Sequence, residues 1–207
     1  MGTAGQLVGG LVTSSIFLIV SCLANITAIV FYFLAFRNYE KAGTMYKRGK
    51  FIQTCGAMIY GAFKLIFWFI VVIGFPHYGS FVHTVDLLAF VAFAIGSLLC
   101  LIAVNKHKKR LLFGQILELT YLGVHFVVLI STFISKYTIQ FERVMEILNF
   151  LFVAFSIVMG SFLSFELFQR YSNEEKINRQ SQMGHNDSSA FDPKDEPTEE
   201  PVAEHSE

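Results

Sequence analysis

Ionisable side chains lie within long apolar runs of this sequence, where a charge is energetically costly. Lys64 stands in the middle of one run, and Asp86 and Glu118 lie in two later ones. Inside a hydrocarbon layer such groups are rare, and they usually face a partner or a polar interior. These residues are therefore candidates either for binding or conducting a solute or for joining helices through an ion pair.

Lys64 has two candidate counter-ions. By fractional position along the apolar runs, it lies at a depth between Asp86 and Glu118, about 8 Å from each along the membrane normal at a rise of about 1.5 Å per residue. Helix tilt or bending of the lysine stem would close either gap. The spacing therefore leaves both pairings open.

Polar side chains form a stripe along the run that contains Glu118. Gln115, Glu118, Leu122 and His125 follow i, i+3, i+7 and i+10 spacing, so they share one helical face, and Asn25 could join them from the first run. Such a stripe predicts either a polar interior that carries solutes or hydrogen bonds that hold helices together. Its residues lie at different depths and do not repeat as a selectivity ring would, which favours the second interpretation.

Small residues recur at four-residue intervals within three of the runs. This spacing lets helices approach closely, and it predicts packing within a bundle or, for the third set, an interface with a partner. The sets are Ala57 and Gly61; Ala92 and Gly96; and Ser156, Gly160 and Ser164.

The elements that must position these residues are five apolar runs, each long enough to span a bilayer as a helix. The composition agrees, since 54% of the residues are apolar and only 15% are charged. We therefore predict an all-α membrane protein with a bundle of about five transmembrane helices. The predicted spans are Leu7–Phe36, Phe51–Phe75, Phe81–Val104, Leu112–Ser135 and Glu146–Phe168.

Basic residues between the runs fall almost entirely into every second connection. This bias predicts that the N-terminus is extracellular or lumenal and the C-terminus cytoplasmic, in the plasma membrane or an endomembrane. An alternative has four spans, with the first run cleaved or the fifth lying in the interface. The nine basic residues assigned to cytoplasmic loops are Arg37, Lys41, Lys47, Arg48, Lys50, Lys106, Lys108, Lys109 and Arg110.

Charge also divides the chain into two parts. Residues 1–168 carry 12 Lys and Arg against 6 Asp and Glu, whereas residues 169–207 carry 4 against 10. The second part is rich in Glu, Asp, Ser, Asn and Pro, a composition typical of disorder. We therefore predict a transmembrane bundle over residues 1–168 and a disordered cytoplasmic tail over residues 169–207.

Function is less constrained by the sequence than architecture is. The chain contains no P-loop, dinucleotide fingerprint, zinc-protease motif or nucleophile elbow, so we expect no catalytic residues, no cofactor, no metal and no nucleic-acid partner. We favour a non-enzymatic membrane organiser: an accessory subunit, trafficking factor, or adhesion or fusion partner. It would contact the lipid bilayer, another membrane protein or a second copy of itself, and a cytosolic adaptor at the tail.

The alternative is a small transporter or channel subunit with a polar interior around Lys64, Asp86, Glu118 and His125. In that case charge-neutral substitutions should abolish flux, and His125 should make the flux depend on pH. An intramembrane enzyme is a third interpretation.

Overall fold

Five long helices make up nearly all of the chain that is described. The structure, a computed structural model, describes residues 2–74, 80–104, 108–134 and 140–189. Except for a short 3-10 turn at Tyr39–Lys41 and residues 38 and 104, these residues are α-helical. The helices are α1 (Gly2–Arg37), α2 (Ala42–Gly74), α3 (Ser80–Ala103), α4 (Lys108–Ile134) and α5 (Gln140–Ser189).

Each helix contains a segment long and apolar enough to cross a membrane. Such a segment satisfies its backbone hydrogen bonds internally, so its outer surface can be wholly apolar. The prediction of an all-helical chain with five such helices is confirmed. Phe75 and Ser135, at the ends of two predicted spans, lie outside the described residues, as do residues 105–107.

Helix α2 begins nine residues before the predicted start of the second span at Phe51. The sequence analysis placed residues 37–50 in a loop, but α2 starts at Ala42 and only the turn at Tyr39–Lys41 separates it from α1. Tyr46 and Lys50 face the interior of the bundle, each no more than 1% exposed. The loop prediction failed because a run of basic residues is typical of a connection between spans. Several of these residues instead lie on α2.

Helix α5 continues beyond the predicted end of the fifth span. Disorder was expected from residue 169 onward, but the helix extends to Ser189. The segment contains good helix formers and two i, i+4 ion pairs, Arg170 with Glu174 and Glu175 with Arg179. The structure thus has a helix over residues 169–189, where disorder was expected, and residues 190–207 lie outside the described residues.

By its contacts the chain divides into two compact units, Met1–Phe168 and Gln169–Glu207. The first unit is the helical bundle. Its helices alternate in direction: α2 runs from Lys50 to Lys64, whereas α3 runs from Asp86, beside Lys64, to Ser97, beside Glu118.

Aromatic residues form the centre of the bundle. Tyr60, Phe90, Phe93 and Tyr121 are buried in one cluster, with Phe90 edge-on to Tyr60 and to Tyr121. Large apolar side chains such as Ile66, Leu119 and Phe162 are exposed on the outside of the helices. The bundle thus has an apolar exterior, while many of its polar side chains are inside.

Candidate functional site

The most deeply buried charges of the bundle are Lys50 of α2 and Glu118 of α4. The Lys50 Nζ donates to both carboxylate oxygens of Glu118, at 2.6 and 2.8 Å. Each side chain is 1% exposed, so the pair is shielded from the surroundings of the bundle. A bidentate contact between opposite charges in a low dielectric couples the two helices strongly.

Two neighbours take up the third donor of Lys50 and a second acceptor site on Glu118 Oε1. The third donor of the Lys50 ammonium reaches Gln53 Oε1 at 3.2 Å, and the Ser97 hydroxyl donates to Glu118 Oε1 at 2.6 Å. We call Lys50, Gln53, Ser97 and Glu118 the Lys50–Glu118 cluster. A buried charge is tolerated when it is both paired and hydrogen-bonded. The contacts within the cluster therefore offset the free-energy cost of removing both charges from water.

Gln53 connects this cluster to the two remaining helices. Its Oε1 also accepts a hydrogen bond from the Tyr32 hydroxyl of α1 at 3.0 Å. Its Nε2 donates to Ser156 Oγ of α5 at 2.5 Å and to Asn25 Oδ1 of α1 at 3.4 Å. All five helices therefore meet in one continuous hydrogen-bonded network.

Further hydrogen bonds join α5 to α1 and to α2. The Ser21 hydroxyl donates to Asn149 Oδ1 at 3.0 Å, and the Ser164 hydroxyl donates to the Tyr46 hydroxyl at 2.6 Å. Ser164 and Asn149 are fifteen residues apart on α5, which is about 22 Å along the helix. Hydrogen bonds between helices thus recur through much of the bundle.

Lys50 is the functional candidate that the sequence analysis missed. It closes a run of basic residues, and it was assigned to the cytoplasmic loop on that ground. The heptad-like spacing of Tyr46, Lys50, Gln53, Tyr60 and Lys64 was a usable signal, because these positions fall on one face of a single helix. If the second helix had been predicted to begin before Lys50, this lysine would have been placed on the helix face that packs inside the bundle.

The second ion pair, which is part-buried, joins Lys64 to Asp86 and resolves the pairing that the sequence left open. Lys64 Nζ donates to Asp86 Oδ2 at 2.6 Å, and the other carboxylate oxygen lies 2.8 Å from His125 Nδ1. The ammonium also lies over the rings of Tyr60 and Phe90, 5.0 and 5.3 Å from their centroids. We call Lys64, Asp86 and His125 the Asp86 cluster.

Aromatic rings fill the interior between the two clusters. The Tyr121 ring stacks on Phe93 at 4.8 Å and on His125 at 5.2 Å. On α4, Glu118 and His125 are seven residues apart, which is about 10 Å along the helix axis. The polar stripe predicted on this helix therefore serves two separate clusters, Glu118 in one and His125 in the other.

Of the other predicted polar residues, Asn25 joins the network through Gln53 and Ser156. Gln115 is part-buried, and its Nε2 has no hydrogen-bond partner among the residues that the structure describes. The predicted polar residues are thus divided between two clusters. The Nε2 atom of Gln115 bonds to neither cluster.

The predicted small-residue sets pack inside the bundle. Ala57, Ser156 and Ser164 are buried, Ala92 is part-buried, and a Cβ on Gly160 would lie 3.5 Å from the Tyr32 ring. The last set was offered as a possible partner interface, but its members contact α1 and α2.

Gly96 of α3 and Gly114 of α4 pack directly against each other's backbone. A Cβ on Gly96 would lie 2.6 Å from the Gly114 carbonyl oxygen, and a Cβ on Gly114 would lie 2.7 Å from the Gly96 carbonyl oxygen. Each glycine therefore leaves room for the other. Their contact sets the distance between Ser97 and Glu118, each of which lies within four residues of this crossing.

Known proteins supply no template for these clusters. No protein-family model, curated protein or solved structure matches the chain. Within the described ranges, no group of three or more His, Cys, Asp or Glu is arranged to hold a metal ion. Functional inference therefore depends on the geometry of the bundle itself.

Substitutions in the Asp86 cluster test how much Asp86 and Lys64 each contribute to the stability of the bundle. Asp86→Asn should lower the free energy of unfolding by about 2–3 kcal/mol, because it weakens two hydrogen bonds to groups on other helices. Lys64→Met should cost less, about 1–2 kcal/mol, since Asp86 keeps its contact with His125. Unfolding in detergent micelles measures both values.

Thr120→Val on α4 is the matched control for these substitutions. The Thr120 hydroxyl is exposed and bonds only the Ile116 carbonyl of its own helix, so its loss should change stability by less than about 0.5 kcal/mol. Equal effects of Asp86→Asn and Thr120→Val would contradict the bridging role of Asp86.

Proposed function

We propose that this chain is a five-span membrane protein that acts as a non-enzymatic organiser. The distribution of polarity supports insertion, because exposed Ile, Leu and Phe cover helices whose polar groups turn inward. We place the N-terminus on the extracellular or lumenal side and the C-terminus in the cytoplasm, in the plasma membrane or an endomembrane, as the basic connections indicate.

The observation that carries the proposal is that side chains of the bundle already occupy every Lys50 donor and both Glu118 carboxylate oxygens. A residue that binds or relays a solute needs hydrogen-bonding capacity that the solute can take. All three donors of Lys50 and both carboxylate oxygens of Glu118 are used by α2, α3 and α4. These charges therefore hold helices in register rather than offer a site.

The parts of the molecule that remain available to partners are its outer helix faces and its C-terminal segment. Residues 169–207 carry 4 basic and 10 acidic residues, and within the described part of α5 the side chains from Asn173 to Ser181 are exposed. The acidic surplus of residues 169–207 suits a cytosolic adaptor with a complementary basic surface. Lateral contacts with another membrane protein or a second copy would use the apolar faces.

Deletion of Tyr171–Glu207 tests this proposal. Tagged full-length chain and the deletion variant would be isolated from native membranes in mild detergent, and co-purifying proteins quantified by mass spectrometry. We expect the deletion to remove at least one stable partner or to mislocalise the protein, while the bundle still migrates as a folded species. An unchanged partner set and location would refute the role of the segment.

A transporter or channel subunit is the second candidate, and the Asp86 cluster is the observation that favours it. Its Lys64 and Asp86 side chains are 13% and 15% exposed, so this cluster is less enclosed than Lys50 and Glu118. In proteoliposomes, flux that Lys64→Met and Asp86→Asn abolish without loss of folded protein would favour transport. Flux indistinguishable from empty vesicles would favour the organiser.

A further inference from the structure

Exposed basic side chains gather at the end of the bundle where α2 and α4 begin. We call this set the basic end; its members are Arg37, Lys41, Arg48, Lys109 and Arg110. Arg37 ends α1, Lys41 ends the short turn before α2, and Lys109 and Arg110 lie in the first turn of α4. They come from two connections that are separate in sequence.

The Lys50–Glu118 pair shows that these connections lie at the same level. Lys50 is eight residues from the start of α2 at Ala42, and Glu118 is ten residues from the start of α4 at Lys108. At about 1.5 Å per residue, the two starts lie roughly 12 and 15 Å from the ion pair along parallel helices. The Cys100 thiol also contacts the Leu111 carbonyl at 3.7 Å, which places α3 beside this end of α4.

The charge of the basic end is not neutralised within the bundle. None of its five side chains forms an ion pair with any residue that the structure describes, whereas Lys50 and Lys64 both do. The first turns of α2 and α4 contain no acidic residue, and Glu40 is the acid in the turn between α1 and α2. These five exposed cations lie between the helix starts and Arg48, which is about 9 Å along α2 from Ala42, and they need anions from outside the bundle.

From this arrangement we infer that the basic end binds the headgroups of anionic phospholipids. The inference rests on the membrane insertion proposed above, which places this level at the headgroups of the cytoplasmic leaflet. Phosphate and carboxylate groups of such lipids complement exposed Lys and Arg, and each basic residue near the surface strengthens attraction about fivefold. A set of exposed cations from two separate parts of the sequence selects for charge rather than for one headgroup structure.

Native mass spectrometry of the full chain provides the test. Protein purified in detergent would receive an equimolar mixture of phosphatidylserine and phosphatidylcholine of identical acyl chains, and the ratio of bound lipids would be measured. We expect the wild type to retain phosphatidylserine at least tenfold over phosphatidylcholine. The triple variant Arg37→Gln, Lys41→Gln, Arg48→Gln should reduce that preference to threefold or less.

The double variant Arg170→Gln, Arg179→Gln is the charge control. Both arginines are already paired with glutamates one helical turn away, so their removal should leave the lipid preference intact. Lys109→Gln with Arg110→Gln on α4 offers a second reduction of the basic end if the triple variant fails to fold, and it should also lower the preference.

Three results would overturn the inference. The first is that both variants of the basic end keep the preference for phosphatidylserine. The second is that the charge control loses this preference to the same extent. The third is that millimolar inorganic phosphate displaces the lipid, which would indicate a site for free phosphate. Partner recovery after deletion of residues 171–207 is measured separately. A lost lipid preference with intact partners, or the reverse, therefore distinguishes this inference from the proposed function.

Discussion

Replacement of Lys50 by Met is expected to lower the free energy of unfolding by about 3–5 kcal/mol, the cost of leaving a buried charge without its partner. Glu118 would keep only the hydrogen bond from Ser97 and would remain 1% exposed. Glu118→Met should cost a similar amount, because the Lys50 ammonium would then keep only Gln53. Steric trapping or denaturant unfolding in micelles measures these values.

The double variant Lys50→Met, Glu118→Met separates pairing from packing. Two apolar side chains of similar volume remove both charges together, and such replacements of buried ion pairs are often close to neutral. We expect the double variant to be more stable than either single variant, with a coupling energy of at least about 2 kcal/mol. Additive losses would mean that Lys50 and Glu118 act independently.

Alanine at Gly96 or Gly114 is expected to destabilise the bundle by about 1–3 kcal/mol per substitution. Each new Cβ would approach a backbone carbonyl oxygen of the other helix, at 2.6 or 2.7 Å, so α3 and α4 must separate. Separation would also stretch the bond from Ser97 to Glu118. The double substitution should cost less than the sum, since the first already separates the helices.

Gly123→Ala on the same α4 helix is the matched control. Among the residues that the structure describes, no atom of another helix lies within 4 Å of a Cβ built at Gly123, and alanine is the better helix former by up to about 1 kcal/mol. This variant should be as stable as the wild type or more so. If Gly114→Ala behaved like Gly123→Ala in the same unfolding experiment, the close approach of α3 and α4 would be refuted.

The sequence predicted the five long apolar helices because length and apolar composition depend on local residues alone. It also identified Lys64, Asp86, Glu118 and His125 as buried polar groups, since each interrupts an apolar run. Which charges meet depends on helix direction and rotation, which spacing along one run does not contain. Lys64 therefore had two candidate partners, and the pair Lys50–Glu118 was not foreseen.

The structure differs most from the sequence-based expectations in two stretches of charged residues. Basic residues near Lys50 suggested a loop, yet the lysine lies on α2 and turns inward. Acidic and polar residues after Phe168 suggested disorder, yet ion pairs such as Arg170 with Glu174 accompany a continuing helix. Both cases show that a charged stretch can be helical, and that partner geometry decides whether its charges are buried or exposed.

Co-purification from native membranes with the Lys50→Met, Glu118→Met double variant tests most directly whether these charges hold the bundle together rather than act on a solute or partner. The double variant lacks both ions but keeps the helices, the outer faces and the C-terminal segment. We expect it to reach the same membrane and to recover the same partners in the same ratio as the wild type. A folded, correctly located double variant that loses its partners or a measured flux would contradict the structural role of the pair.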